Sequence, residues 1–227
     1  MSPRIAGVLI ILLIATAAAP AQTSAPSAKP SVATGPTTAL ADPSTPKGAL
    51  KALAQALDAG ERKAVLDLLA AKSSAERKTA DATADLAEAA AALRRAAAKC
   101  FGQQAARPLG AQPGATQEAL DRIDAAKVQI DGDRATVRTE TSEGPPMVLE
   151  RSAGAWRVPV SELCKDTEPA ELDRNVAALA EQSRLLRELA AEVAAGKYKT
   201  APEARQALDK RIMQSALPTQ PATRATP

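Results

Sequence analysis

AKVQIDGDRATVRTE (Ala126–Glu140) and MVLERSAGAWRVPV (Met147–Val160) are the stretches whose reading decides the fold. In the first, Val128 and Ile130 alternate with Lys127, Gln129 and Asp131; Ala135 and Val137 alternate with Arg134, Thr136 and Arg138. A period of two sets one face of a strand against a core and leaves the other in water. Asp131-Gly132 between the runs is a hairpin signal, because tight hairpin turns need positive φ. A loop of Asp131-Gly132 pairs Val128 with Ala135, and a loop of Gly132-Asp133 pairs Ile130 with Ala135. Both keep the apolar residues on one face, so the face is set and the register is open. In the second stretch, Met147 and Leu149 alternate with Val148 and Glu150, Ala153-Gly154 turns the chain, and Trp156, Val158 and Val160 share a face. That turn sets Leu149 opposite Val158. Pro159 lacks the N–H a ladder needs, so the last strand is expected to be an edge or to stop there.

Such a sheet, of about four short antiparallel strands, cannot stand alone in water. The flanking sequence supplies helices. Thr45-Pro46 opens one, with Leu50, Leu53, Ala54 and Leu57 as its stripe and Gly60 as its stop. A second, from Glu61, carries Val65, Leu66, Leu68 and Leu69. Ser73-Ser74-Ala75-Glu76 is a capping box for a long third helix. Its stripe is Ala82, Leu86, Ala89, Leu93, Ala97 and Cys100, and this helix is the candidate to lie across the sheet. A loop over Gln103–Thr116 and a helical turn with Leu120 and Ile123 lead into the first strand. Beyond the sheet, Leu172, Val176, Leu179, Ser183, Leu186, Ala190 and Val193 step by four and three, a coiled-coil-like seam. Thr200-Ala201-Pro202-Glu203 caps a last helix, with Ala204, Leu208 and Ile212 inward. The simplest arrangement folds these two helices back as a hairpin; dimerisation through 172–193 is the sharper alternative.

The fold class expected is therefore α+β: helices on a curved antiparallel sheet of about four strands, then a C-terminal helical hairpin. Residues 1–21 read as a signal peptide, with Arg4, an apolar run and an Ala19-Pro20-Ala21 cleavage site before Gln22. Residues 22–44, rich in Ala, Pro, Ser and Thr, read as a disordered linker, as do residues 218–227 as a tail. Between them lie the α+β domain, 45–165, and the C-terminal helical section, 166–217. This organisation, with heavy use of Ala and Arg, implies a periplasmic or secreted bacterial protein with no membrane span after signal removal. Formal net charge is +3 with both signs interspersed, which gives no footprint for nucleic acid. The two cysteines, Cys100 and Cys164, are a candidate disulfide in such a compartment; the alternative is two buried free thiols.

The order of elements resembles the nuclear transport factor two superfamily, whose members pack helices in the mouth of a strongly curved sheet to form a cone. The residues that carry the resemblance are Ala49–Val65 (ALKALAQALDAGERKAV), Ala126–Val137 (AKVQIDGDRATV) and Leu149–Val158 (LERSAGAWRV). Fuller members carry a small hairpin before the long helix, where this chain has only Lys72-Ser73 between its second and third helices. The closing section Glu188–Leu208 resembles the tails of exported bacterial proteins with similar domains.

Enzymes of that superfamily, such as ketosteroid isomerases and scytalone dehydratases, use an Asp or Asp/His base in the cone with Tyr, His or Asp donors. This chain has no histidine and one tyrosine, Tyr198, which falls in the turn between the tail helices. Asp131 and Asp133 fit turn-formers better than a base or a metal ligand. No catalytic residue, metal ligand or cofactor is assigned. The cone would be lined by Val128, Ile130, Val137, Leu149 and Trp156, suited to a small apolar ligand or a protein partner. The expected function is a non-catalytic binding or interaction module of the cell envelope. The alternative is an isomerase-, dehydratase- or hydrolase-type enzyme using an acid in the cone.

Overall fold

The computed structural model of the chain describes residues 40–110, 115–139, 146–165 and 167–216. The expected signal peptide, most of the expected linker and the expected tail fall outside these residues. The fold is α+β. It begins with α1 (Pro46–Ala59), α2 (Arg62–Leu68), a two-residue strand β1 (Leu69–Ala70) and the long helix α3 (Ser74–Phe101). A 3-10 turn (Arg107–Leu109) and α4 (Ala115–Ala125) precede the strands β2 (Lys127–Asp131), β3 (Arg134–Arg138), β4 (Met147–Ser152) and β5 (Ala155–Pro159). The short α5 (Val160–Leu163) leads to α6 (Pro169–Ala194) and α7 (Ala201–Ala216).

Local chemistry explains the ends of these elements. Thr45 accepts from Gly48 N at the start of α1. Ser73 Oγ accepts from Glu76 N at 3.1 Å, and the Glu76 carboxylate accepts from Lys72 N at 2.6 Å, a reciprocal cap for α3. Thr200 and Glu203 repeat the device at α7. Gly60 closes α1 with φ +71°, and a Cβ there would lie 2.5 Å from the Cβ of Ala91. The last carbonyls of α1, at Asp58 and Ala59, accept from Arg94 and Arg95 of α3, which satisfies helix-end groups that otherwise lack partners.

The sheet is mixed, with strand order β1-β5-β4-β3-β2. β1 runs parallel to β5, and the other pairs are antiparallel. The first hairpin takes the Gly132-Asp133 loop, with Ile130 opposite Ala135 and positive φ on Gly132. The second turns at Ala153-Gly154, both at positive φ, with Ser152 opposite Ala155. The sheet therefore has five strands rather than four. Leu69 leaves the helical pattern to pair with Val158, so β5 is an inner strand. Pro159 ends it, as a residue without an N–H must. Chain 41–43 closes the same side of β5: Trp156 N donates to Pro43 O at 2.9 Å, and Ala41 N to the Gln55 side chain. The folded region thus begins ahead of Thr45.

One apolar cluster lies between α1 and the sheet. Leu50, Leu53 and Leu57 meet Ala135, Val137, Leu149, Trp156 and Val158, and α3 contributes only alanines, Ala80, Ala84 and Ala87. So α1, not the long helix, lies on the sheet. The outer row of α3 packs on α6 instead. Leu93 and Ala97 share a second cluster with Leu185, Leu189, Ala190 and Val193 of α6, Leu109 of the 3-10 turn, and Ala201, Ala204 and Leu208 of α7. The two long helices run in the same direction: Cys164, just before α6, lies beside Thr79 near the start of α3, and Val193 near the end of α6 meets Cys100. Ser183, Ala190 and Val193 of the heptad seam are buried inside this chain, so their partner here is α3. Ile212, expected inward, is exposed on α7.

Candidate functional site

Three of the residues expected to line a cone are packed within the apolar cluster. Val137, Leu149 and Trp156 are buried among the leucines of α1 as filled core. Val128 is half-buried beside them. Ile130 is 58% exposed, because β2 is the edge strand and α1 does not extend over its far end. These residues share a face as alternation requires, but that face is occupied.

The cysteines do not pair. Both are free thiols. Cys100 Sγ donates to Val193 O at 3.3 Å, while Cys164 sits beside Thr79 and burial pushes its thiol pKa up. Thr79 and Cys100 lie about 30 Å apart along α3 at 1.5 Å per residue. A disulfide needs Cα atoms within about 7 Å. The expectation fails because the end of the last strand approaches the start of α3 rather than its end.

An open cleft of about 630 Å³ lies where β1, the ends of β4 and β5, and the first turns of α3 converge. Its floor is Leu66, Leu69, Ala70, Ala71 and Ala80; its charged lining is Lys72, Arg77, Asp81, Glu150, Arg151 and Arg157. Each residue is there for a local reason. Parallel pairing of β1 with β5 carries Lys72 over the sheet edge. The capping box fixes the direction in which α3, and so Arg77, sets out. Alternation in β5 buries Trp156 and turns Arg157 to the other face, directly opposite Glu150 on β4.

Both carboxylates in the cleft are engaged. Glu150 meets Lys72 Nζ at 2.6 Å, and Asp81 meets Arg62 at 2.7 Å. Arg62 also bonds Asp85 at 2.8 Å, and these partners raise its pKa further. The cleft arginines are placed differently. Among the described residues Arg77 reaches only the Lys72 carbonyl, at 3.5 Å. Arg151 has no side-chain partner among the described residues. Arg157 is half-buried, and its Nε is buried without a hydrogen-bond partner. A guanidinium cannot shed its proton, and a buried donor left unpaired costs about 1–3 kcal/mol. The arrangement is suited to accepting an electron-rich group rather than to moving protons.

A second charged knot lies in the tail. The Glu192 carboxylate accepts from Tyr198 Oη at 2.6 Å, Arg211 at 2.6 Å and Lys197 at 2.7 Å. Lys197, Tyr198 and Arg211 together bring its pKa down to about 2. Burial, then the Glu192 carboxylate, raises the Tyr198 pKa. This knot ties α7 to α6. Asp131 and Asp133 are exposed at the β2–β3 turn. Among the described residues no group of three or more His, Cys, Asp or Glu is placed to hold a metal ion, and no helix is long and apolar enough to cross a membrane.

Sequence reasoning missed Lys72, Arg77, Arg151 and Arg157, which read as solvated cations. Arg157 falls at the polar position that alternation between Trp156 and Val158 calls for, so it carried no separate signal. No protein-family model, curated protein or solved structure matches this chain.

Proposed function

We propose that this chain is an exported, non-catalytic binding module of the bacterial cell envelope, and that the cleft between β1, β5 and α3 holds its ligand. The observation that carries the reading is the open cleft itself: an apolar floor, and arginines around it that have no carboxylate partner among the described residues. Ligand sites combine a mostly apolar surface with a few placed polar groups, and this lining fits that description. The leader-like start, with cleavage before Gln22, supports export to the periplasm or beyond.

The cone-fold relationship belongs to the same proposal. The two-residue strand β1 stands where fuller members of the nuclear transport factor two superfamily carry a small hairpin, and it pairs with the last strand. That placement supports the resemblance, with the cone mouth here filled by α1. In this reading the binding surface has moved from the apolar face to the sheet edge.

The test is retrieval from envelope extract. Mature protein starting at Gln22 is incubated with extract, recovered and its bound molecules identified by mass spectrometry, alongside Arg157→Gln and Ile130→Ser variants. A ligand kept by the wild type and Ile130→Ser but lost by Arg157→Gln is the expected result. Retention by Arg157→Gln with loss in Ile130→Ser would place binding on the exposed sheet end and overturn the assignment.

A further inference from the structure

Arg157 lies directly across the β4–β5 ladder from Glu150, the position in which an acid would normally satisfy it. The Glu150 carboxylate instead reaches Lys72 at 2.6 Å, and Asp81, the other acid of the cleft, is held by Arg62. Among the described residues both acids of the cleft are thus engaged, while Arg157 and Arg77 meet no carboxylate. Arg157 keeps a buried, unpartnered Nε, and Arg77 enters from the first turns of α3; Arg151, opposite Trp156 in the ladder, borders the cleft from the other face of β4. Elsewhere several arginines do meet carboxylates, Arg134 with Glu162, Arg184 with Glu181 and Glu188, Arg205 with Asp209, Arg211 with Glu192, while Arg95, Arg122 and Arg174 reach backbone carbonyls.

We infer that the cleft recognises an anionic group, a carboxylate or a phosphate, through Arg157 and Arg77, with the apolar floor taking the remainder of a small ligand. This deepens the binding-module reading and rests on it. The guanidinium fork matches two oxygens of either anion in one plane, and charge-assisted bonds of this kind exceed neutral ones in strength. Lys72 adds a point charge at the rim without leaving Glu150. The floor of Leu66, Leu69 and Ala80 lowers the local dielectric and strengthens each contact.

The experiment is a set of amide-resonance titrations of the full mature chain, using inorganic phosphate, succinate and uncharged succinamide as probes. Saturable shifts of the Lys72, Arg77, Arg151 and Arg157 amides with either anion, weakening as sodium chloride is raised, are expected. A response to phosphate with succinate silent names a phosphate ligand, and the reverse names a carboxylate; either supports the inference. Arg157→Gln and, independently, the exposed Arg77→Gln should each weaken binding about tenfold; the second serves if the first disturbs the fold. Shifts of equal size at Arg62 and Arg184 would mean general screening and overturn the inference. Succinamide moving the cleft resonances while both anions leave them unmoved would overturn the anionic class and keep the cleft as a binding surface. Silence toward every probe would overturn both.

Discussion

Helix α3 presents one row of side chains to the sheet layer and another to α6, and the two rows are held differently. On the sheet side, Ala80, Ala84 and Ala87 are small spacers, and the bulk comes from opposite: Trp156, Leu149 and the leucines of α1. On the α6 side, both helices bring leucine and alanine, and Leu93 and Ala97 interleave with Leu185, Leu189 and Val193. Small residues on both rows let α3 lie close to its neighbours. The difference teaches that an apolar stripe certifies burial without naming the partner. Ala82, Leu86, Ala89, Leu93 and Ala97 form the row that reads as sheet-facing, yet the row that joins the sheet-side cluster is the less conspicuous all-alanine one.

The sharpest way to break the sheet-side row is to remove its bulk. Trp156→Ala should cost about 3–5 kcal/mol, the range for deleting a buried aromatic, because the indole is 3% exposed within the cluster. Denaturant unfolding is the check, and an unchanged midpoint would show that the indole carries no core. On the α6 side, Leu189 is fully buried between α3 and α7. Leu189→Ala should cost about 3 kcal/mol. If the two clusters act as one cooperative unit through α3, both variants will unfold in single transitions. A second transition in Leu189→Ala alone would show that α6 and α7 detach first.

How much of this was legible follows from how local each determinant is. The strands, the shared face of Ala135, Val137, Leu149 and Trp156, and the caps at Ser73 and Thr200 depend on residues within a few positions of one another, and all appear as the sequence indicates. The first hairpin was narrowed to two registers, and the structure takes the Gly132-Asp133 loop, with Ile130 opposite Ala135. β1 was not legible: Leu-Asp-Leu-Leu-Ala continues a helical apolar pattern, and only the distant partner Val158 draws Leu69 into a strand. The cleft inherits that problem. Lys72 and Arg77 come beside Arg157 only because β1 joins β5, so no spacing in the sequence could announce them.

The close approach of α1 to α3 gives a finer test of the sheet-side row. Gly60 sits at φ +71°, and an added Cβ would lie 2.5 Å from Ala91 Cβ and 3.1 Å from Glu88 Cα. An L-residue in the left-handed region costs about 1–2 kcal/mol, and overpacking adds to it. Gly60→Ala should therefore destabilise by about 2 kcal/mol or more. Because the displaced atoms belong to α3 itself, amide exchange should rise in α6 as well as in α1. A rise confined to α1 would show that α3 does not transmit strain between its two rows.

The smallest expected effect lies at the far end of the α6 side, where Glu192 ties α7 down. Its hydrogen bonds from Lys197, Tyr198 and Arg211 lower its pKa from 4.5 to about 2. A carboxylate whose folded pKa is depressed stabilises the fold at pH values above its unfolded pKa. That contribution fades as pH falls from about 4.5 toward about 2, where the native carboxylate finally takes its proton. The group is partly solvated, so the whole effect should stay within about 1 kcal/mol. Tyr198 is the single tyrosine, which makes its ring resonance a private reporter of α7 docking. In the wild type that resonance should move toward its undocked position across this acid window, while the Trp156 indole holds still. Glu192→Gln should show the loosened state already at neutral pH and no further change between pH 4.5 and 2. An identical acid response in wild type and variant would mean that α7 is held by Ala201, Ala204 and Leu208 alone.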